Sequence, residues 1–427
     1  MSWRYLKIED FCSTGSGGTP SRSKPEYYEG GDIPWIKSGD LKDSTIYDAN
    51  EYITAAGLEN SSAKIVEKDS ILIAMYGATV GRLAILGINA ATNQAICNIR
   101  PDTTIADMKY LYYFLKSKFS YFVENAVGGA QPNISQGLIK SLEVPLPSLS
   151  EQKRIAEILD KAADIRQKRE QAIKLADDFL RATFLKMFGD PVSNPMGWDV
   201  RPLGQHIIHA NNGLSRRRKE SENTGEVVLR LQDVHYEGIR FDNNLNRIKL
   251  TTPEKERFLV ANGDILFIRV NGNPDYVGRS AVFEGYKENV YHNDHLIRLK
   301  ISKEYEPIFL SYFFNHESGK RIISRKIKTS AGQYTISQGG IESLDIYMPP
   351  ISLQKKFVEI RNSVMNLPYS CNSFTKLYTM LNQKIFSGYL WKVRISTLRN
   401  ENETFSQLNS ITYIGVFLRL VTYSHLP

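Results

Sequence analysis

Basic and amide side chains in glycine-flanked stretches are the groups this sequence offers for chemistry. Arg216, Arg217, Arg218 and Lys219 follow closely on Gly213, about where Arg22 and Lys24 fall in an earlier stretch of similar pattern. Cations in such loops can neutralise phosphates, or one guanidinium can donate to guanine O6 and N7; the same run also fits a solvated charged loop. Lys37, Tyr76, Arg82 and Asn93 are polar residues expected at strand ends, as are Arg230, Gln232, Arg269, Asn271 and Arg279 further on. Arg and Asn suit bidentate base contacts best. Val-Gly-Arg at 80–82 and again at 277–279 equally suits a structural turn.

Catalytic constellations fail on context. FCSTGSGG at 11–18 imitates a nucleotide-binding glycine turn, but Thr19-Pro20 and a basic, serine-rich run follow where a helix is needed. Pro101-Asp102 with Glu151-Gln152-Lys153 spells a carboxylate–lysine nuclease signature, yet Glu151 and Lys153 open a helix, where a carboxylate favours the dipole. His292 and His295 lack the carboxylate or cysteine support a metal needs. No phosphate-binding Walker loop and no Asn-Pro-Pro-aromatic or Asp-Pro-Pro-aromatic tetrapeptide occurs.

The elements that must position these residues come twice. AQPNISQGLIKSL at 130–142 returns as GQYTISQGGIESL at 332–344, with Gln136 and Gln338 202 residues apart. Gln131 with Gln333, and Gln152 with Gln354, keep that offset, so each pair shares a job, either architecture or docking of a partner. SILIAM answers DILFIR, and Asn93-Gln94 answers Asn293-Asp294. A period this long means a duplicated domain rather than a solenoid. Each copy reads as α+β: short strands punctuated by Gly and Asn, mostly antiparallel, with helical stretches near 108–123 and 307–323.

Each copy ends in a heptad seam. Ile155, Ile158, Ala162, Ile165, Arg169, Ala172, Ala176 and Phe179 recur at alternating three- and four-residue spacing. So do Phe357, Ile360, Val364, Leu367, Cys371, Phe374, Tyr378, Leu381 and Ile385. Such seams demand a covering helix, and two in one chain predict an antiparallel coiled coil between two heads. Ser148 or Ser150 is the expected cap of the first helix, and Pro368 should kink the second.

Composition agrees with a basic binding protein. Across 427 residues, 54 Lys+Arg against 46 Asp+Glu leave +8, which favours a polyanionic partner. Cys12, Cys97 and Cys371 are too scattered for a disulfide framework or a zinc site, and the N-terminal stretch has no apolar leader. The expectation is a cytoplasmic protein without a membrane segment.

Several motifs then resemble one family. GGTPSRS…EYYEGGDIPWIKSGDL (17–41), GAQPNIS (129–135), VPLPSLSEQKRIAEIL (144–159), NPMGWDVRPLG (194–204) and LNQKIFSGYL (381–390) are similar to specificity subunits of Type I restriction-modification systems, over about residues 3–390. Departures are MPPISLQK in the second copy, Leu229 opposite Trp35, and FSGYL for FSGEL; residues 392–427 match nothing in the family. The resemblance implies two target-recognition domains (1–148 and 190–349), two conserved spacer helices (149–189 and 350–391) and an unassigned tail (392–427). It implies double-stranded DNA as ligand, two modification subunits that bind S-adenosylmethionine and methylate adenine, and restriction subunits that use ATP and cut. S-adenosylmethionine, ATP and Mg²⁺ are then expected on those partners and no cofactor on this chain. The divergent heads predict an asymmetric bipartite target. The alternative is an orphan DNA-binding subunit, or the recognition portion of a single-chain restriction-methylation enzyme.

Overall fold

The protein is seen in a computed structural model that describes residues 3–129, 131–215, 224–241, 245–330 and 332–365. The chain divides inside its longest helix, between Lys168 and Arg169, into two units.

In the first unit, strand Arg4–Lys7 pairs antiparallel with Glu143–Leu146, so the first and last strands of the head close on each other. Between them lies a five-stranded sheet in the order Cys12–Ser16, Ile96–Pro101, Ile71–Ala74, Leu83–Leu86, Thr45–Ile46. A four-stranded sheet runs Glu51–Ile53, Ile33–Ile36, Ala90–Thr92, Ile65–Val66. Strand Ile71–Ala74 is apolar throughout because both of its faces are covered: Ile71 and Ile73 enter the helix-side core, Leu72 and Ala74 the opposite one. The sheets are mainly antiparallel, but Ile33–Ile36 runs parallel to Ala90–Thr92, and Thr45–Ile46 to Leu83–Leu86.

The second unit repeats the plan. Val200–Pro202 pairs with Asp345–Tyr347, and a four-stranded sheet runs Ile207–Asn212, Leu296–Ile301, Ile265–Ile268, Ser280–Val282. Glu226–Leu229 sits between Arg247–Ile248 and Val290–His292, parallel to the latter. Ile265 and Phe267 face one core, Leu266 and Ile268 the other.

The helical stretches expected near 108–123 and 307–323 are each two helices. Met108–Ser117 and Phe119–Glu124 break at Lys118; Pro307–Asn315 and Glu317–Ser324 break at His316, whose backbone is extended. The breaks turn the second helix of each pair, so that Phe122 and Ile323 enter the cores their heads provide.

Helix Leu149–Phe188 is continuous over 40 residues, about 60 Å by helical rise. Ser148 takes the cap, its Oγ accepting from Glu151 N–H at 3.4 Å. The expected seam holds in mid-helix, where Ala162, Ile165, Arg169, Ala172 and Ala176 are half-buried, and needs correction toward its ends. Ile158 and Phe179 are 42% and 53% exposed, while Gln152, Ile155, Ala156 and Leu159, then Leu180, Phe184 and Phe188, are buried. Each end of the helix packs on a globular core and takes its phase from that core. Helix Ile351–Met365 buries Gln354 and Phe357. Phe357 meets Phe184 and Phe188 at ring-centroid distances of 5.5 and 5.7 Å, so the last turns of one helix face the first turns of the other. Leu367 and the later seam positions, Pro368 and the 392–427 tail lie outside the described residues.

Candidate nucleic-acid interface

The same backbone hydrogen bonds recur in both heads and define which residues correspond. Asn93 N–H donates to Ile36 O, and Asn293 N–H to Leu229 O, both at 3.0 Å. Gly18 N–H reaches Thr92 O as Leu214 N–H reaches His292 O, both at 2.9 Å. Gly81 bonds Ala74 as Gly278 bonds Ile268, and Ile134 bonds Met75 as Ile336 bonds Arg269. Leu229 therefore stands where Ile36 does, and Val228 opposite Trp35, one residue off the register read from the sequence; both lie in strands parallel to the next, Trp35 beside Ala91 and Val228 beside Tyr291. Lys37 then matches Arg230, Arg82 matches Arg279, Asn93 matches Asn293, and Arg269 takes the place of Met75.

Glycine makes the junction possible. A Cβ on Gly17 would lie 1.9 Å from Thr92 O, and one on Gly213 2.3 Å from Asn293 O, so the loop packs directly on the strand end.

In the first head the expected residues gather along one rim. Lys37 directly follows strand Ile33–Ile36, Asn93 follows Ala90–Thr92, and Arg82, which is exposed, precedes Leu83–Leu86. Tyr76, 46% exposed, bridges to Asn133, which brings exposed Gln131 into the neighbouring turn. Arg22 and Lys37 both pair with Glu51, and Arg22 lies over the rings of Tyr28 and Trp35. Lys24 Nζ donates to Tyr27 Oη at 2.9 Å, a bond that holds its ammonium above the usual lysine range. Thr19 Oγ1 bonds Gln94, tying the same loop to the Asn93 strand end. The Oδ1 of Asn93 and the Oγ1 of Thr92 are buried without a hydrogen-bond partner.

The second head repeats the rim, keeping the arginine and asparagine at Arg279 and Asn293 and changing the side chains beside them. Arg230 approaches Asp233, whose Oδ2 accepts the Arg230 N–H at 2.7 Å. Gln232 is exposed in the adjoining turn. Arg269 Nη1 donates to Asp294 O at 3.4 Å while its Nε is buried without a partner, as is Asn293 Oδ1. Arg279 lies 4.3 Å over the Tyr276 ring, and Asn271 Oδ1 accepts Asn273 N–H at 2.9 Å. Gln333 is exposed and lies in strand Gln333–Thr335, not in a loop. That strand pairs with Val270–Asn271, so ladder bonds extend it. Arg216, Arg217, Arg218 and Lys219 lie outside the described residues.

Two of the paired glutamines face inward. Gln152 is fully buried: its Nε2 donates to Pro147 O at 2.9 Å and Ile105 O at 3.1 Å, and its Oε1 accepts Asp107 N–H at 2.8 Å. Gln354 does the same with Pro349 O, Glu304 O and Glu306 N–H at 2.8, 3.1 and 2.9 Å. Every contact is to backbone. Glu151 pairs with Arg154 at 3.0 Å and Asp102 Oδ1 accepts from Thr104, so the nuclease-like residues serve a helix start and a turn.

His292 is wholly buried, with Nδ1 3.1 Å from Phe258 O and Nε2 3.4 Å from Asn211 O. Burial pushes its pKa down to about 4, so the ring is neutral and donates to only one carbonyl. Because the unfolded chain takes up this proton first, stability should be intact above pH ~6.5 and fall as pH drops toward 4, by about 3 kcal/mol. Denaturant titrations of wild type and His292→Gln across that window check it: the variant should lack that share of the slope. Among the described residues no group of three or more His, Cys, Asp or Glu could hold a metal, and no helix is long and apolar enough to cross a membrane.

Glu51, Trp35 and Gln94 were not among the site residues the sequence suggested. Glu51 reaches Lys37 and Arg22 because its strand pairs with Ile33–Ile36, which no local spacing announces. Asn293 was visible as a repeat of Asn93.

Comparison with known proteins follows the same duplication. The model of the Type I restriction modification DNA specificity domain matches twice, at residues 2–175 and 195–367. The chain is 29% identical over 349 residues to the Type I restriction enzyme StySPI specificity subunit of Salmonella potsdam, covering 76% of this chain and 74% of that protein. It is 25% identical over 352 residues to the EcoKI specificity subunit of Escherichia coli K12, with the same coverage of 76% and 74%. Its fold is similar to the crystal structure of a Type I system S subunit from M. genitalium, with a TM-score of 0.57 at 18% identity over 90% of this chain and 96% of that one.

Proposed function

The chain belongs to the Type I restriction modification DNA specificity family, and on that premise we propose that each head reads one half of a split, asymmetric duplex target without any catalytic site in this chain. The observation that carries this reading is the rim built twice on matching backbone hydrogen bonds, with an arginine (Arg82, Arg279) and an asparagine (Asn93, Asn293) kept in both heads while the positions beside them change: Lys37 against Arg230, Met75 against Arg269 and Trp35 against Val228. One scaffold with a shared arginine and asparagine and altered neighbours suits two different half-sequences. The Arg216–Lys219 run, four cations in tandem, suits phosphate contacts.

Methylation and cleavage then belong to partners: two modification subunits carrying S-adenosylmethionine, and restriction subunits using ATP and Mg²⁺. The backbone-only bonds of Gln152 and Gln354 support an architectural role for that pair; Gln131 and Gln333, both exposed, remain available to a partner. The cytoplasm is the compartment this reading places it in.

The test is a purified full-length chain offered a random duplex library, S-adenosylmethionine, ATP and Mg²⁺. It should enrich a bipartite asymmetric sequence and neither methylate nor cut it. Either activity in a preparation free of other polypeptides, or enrichment of a single undivided motif, would overturn the proposal.

A further inference from the structure

Glu51 holds two cations at once. Arg22 Nη2 donates to its Oε2 at 2.5 Å, and Lys37 Nζ donates to its Oε1. Those bonds, Lys37 first, hold the Glu51 carboxyl below the ordinary range, so the acid stays charged. The Arg22 guanidinium also lies 4.4 Å over Tyr28 and 5.1 Å over Trp35. Both rings are anchored to the loop that carries Arg22: Trp35 Nε1 donates to Gly18 O at 3.0 Å and Tyr28 Oη to Pro20 O at 2.6 Å. The three charged side chains remain reachable, at 55%, 34% and 31% exposure for Arg22, Lys37 and Glu51.

This geometry favours a base over a phosphate. The carboxylate cancels one of the two cations and repels a phosphate oxygen. It fixes the guanidinium plane while using one of the five N–H donors, which leaves a free edge with little rotamer freedom to lose. Among the described residues the second head has neither the acid nor the aromatic platform at the matching places. Trp35 lies opposite Glu51, whereas its counterpart Val228 bonds Asn246, so an amide stands in place of the acid and an aliphatic residue in place of the platform.

We propose that Glu51 is a specificity-determining residue of the first head, holding Arg22 over the Tyr28–Trp35 platform as a reader of guanine O6 and N7 in the major groove. The inference rests on the functional reading above and names the chemistry of one of its contacts.

Full-length wild type, Glu51→Gln and Arg22→Lys are each offered the random duplex library. Each is then titrated against the enriched site and its single-base-pair variants at several salt concentrations. Wild type should enrich a bipartite site with one G·C pair in one half whose replacement weakens binding about tenfold or more. Glu51→Gln should accept the replacement to within about threefold, bind non-target duplex more tightly, and steepen the slope of log affinity against log salt by up to about 0.9 per cation released. Arg22→Lys keeps the charge and should lose the same discrimination without steepening the slope. The other half-site serves as internal control and should stay unchanged in all three proteins. Unaltered discrimination in Glu51→Gln, or a loss of affinity equal for every duplex, would overturn this inference and leave the functional reading standing. A wild type that enriches no bipartite site would overturn both.

Discussion

Gln152→Leu should destabilise the first head by roughly 3–6 kcal/mol, and Gln354→Leu the second head by a similar amount. Each glutamine satisfies two carbonyls and one N–H where a helix begins. Leucine fills nearly the same volume but leaves all three backbone groups unpaired, and an unsatisfied buried polar group costs about 1–3 kcal/mol. Gln152→Glu is the sharper control: it keeps an acceptor for Asp107 N–H but puts an acceptor oxygen where the donor faced two carbonyl oxygens, and should be no better than leucine. Because the chain has two units, a single unfolding midpoint is a poor measure, so native-state hydrogen exchange of each head is the readout. Each substitution should accelerate exchange in its own head. A change below about 1 kcal/mol would mean that water replaces the side chain and that the clamp is incidental.

Exchanging the first head for that of a related subunit should rewrite one half-site completely and leave the other as it was. The structure dictates where to cut. An exchange of residues 4–143 would split the ladder in which Arg4 faces Leu146 and Lys7 faces Glu143. Carrying residues 3–146 keeps both strands together and ends just before Pro147, whose carbonyl Gln152 binds. The clamp touches only main-chain atoms of the head, so an incoming head needs the same loop path and not the same side chains. Ile155, Ala156 and Leu159 must still find an apolar bed, and a mismatch there would show as poor folding. Single-molecule sequencing for methyladenine in cells that also supply the modification subunits reports the outcome. If both half-sites changed together, the heads would not be independent readers.

The duplication, its 202-residue offset and the helix starts were legible because they are written in local sequence. Gln152 and Gln354 could be matched as a pair, but not assigned, since two of the three backbone groups that each holds are about 45–50 residues away. The heptad period was readable, and its phase holds in mid-helix but not at the end, where Phe184 and Phe188 turn toward Phe309 and Phe357, residues of a core assembled from distant strands and helices. The helix breaks at Lys118 and His316 were invisible for the same reason, both segments being apolar enough for one longer helix. At the rim, residue type identified Lys37, Asn93 and Arg230 as strand-end groups. The acid facing Arg22 and Lys37 emerged only with strand register.

The pairing of first strand with last also governs the order in which the chain can fold as it is made. Arg4–Lys7 has no ladder partner until Glu143–Leu146 has been synthesised, about 140 residues later. At ordinary translation rates of about 5–20 residues per second, that is a wait of roughly 7–28 s. Closing so long a loop adds little entropy per further residue but must be completed before the contact gives anything back. The intervening sheets, whose pairings are closer in sequence, can form meanwhile, and the terminal ladder then locks a head that is otherwise assembled. The second head repeats the delay from Val200–Pro202 to Asp345–Tyr347. Nascent chains arrested before residue 143 should therefore carry a first strand still open to protease, and those arrested well past it a protected one.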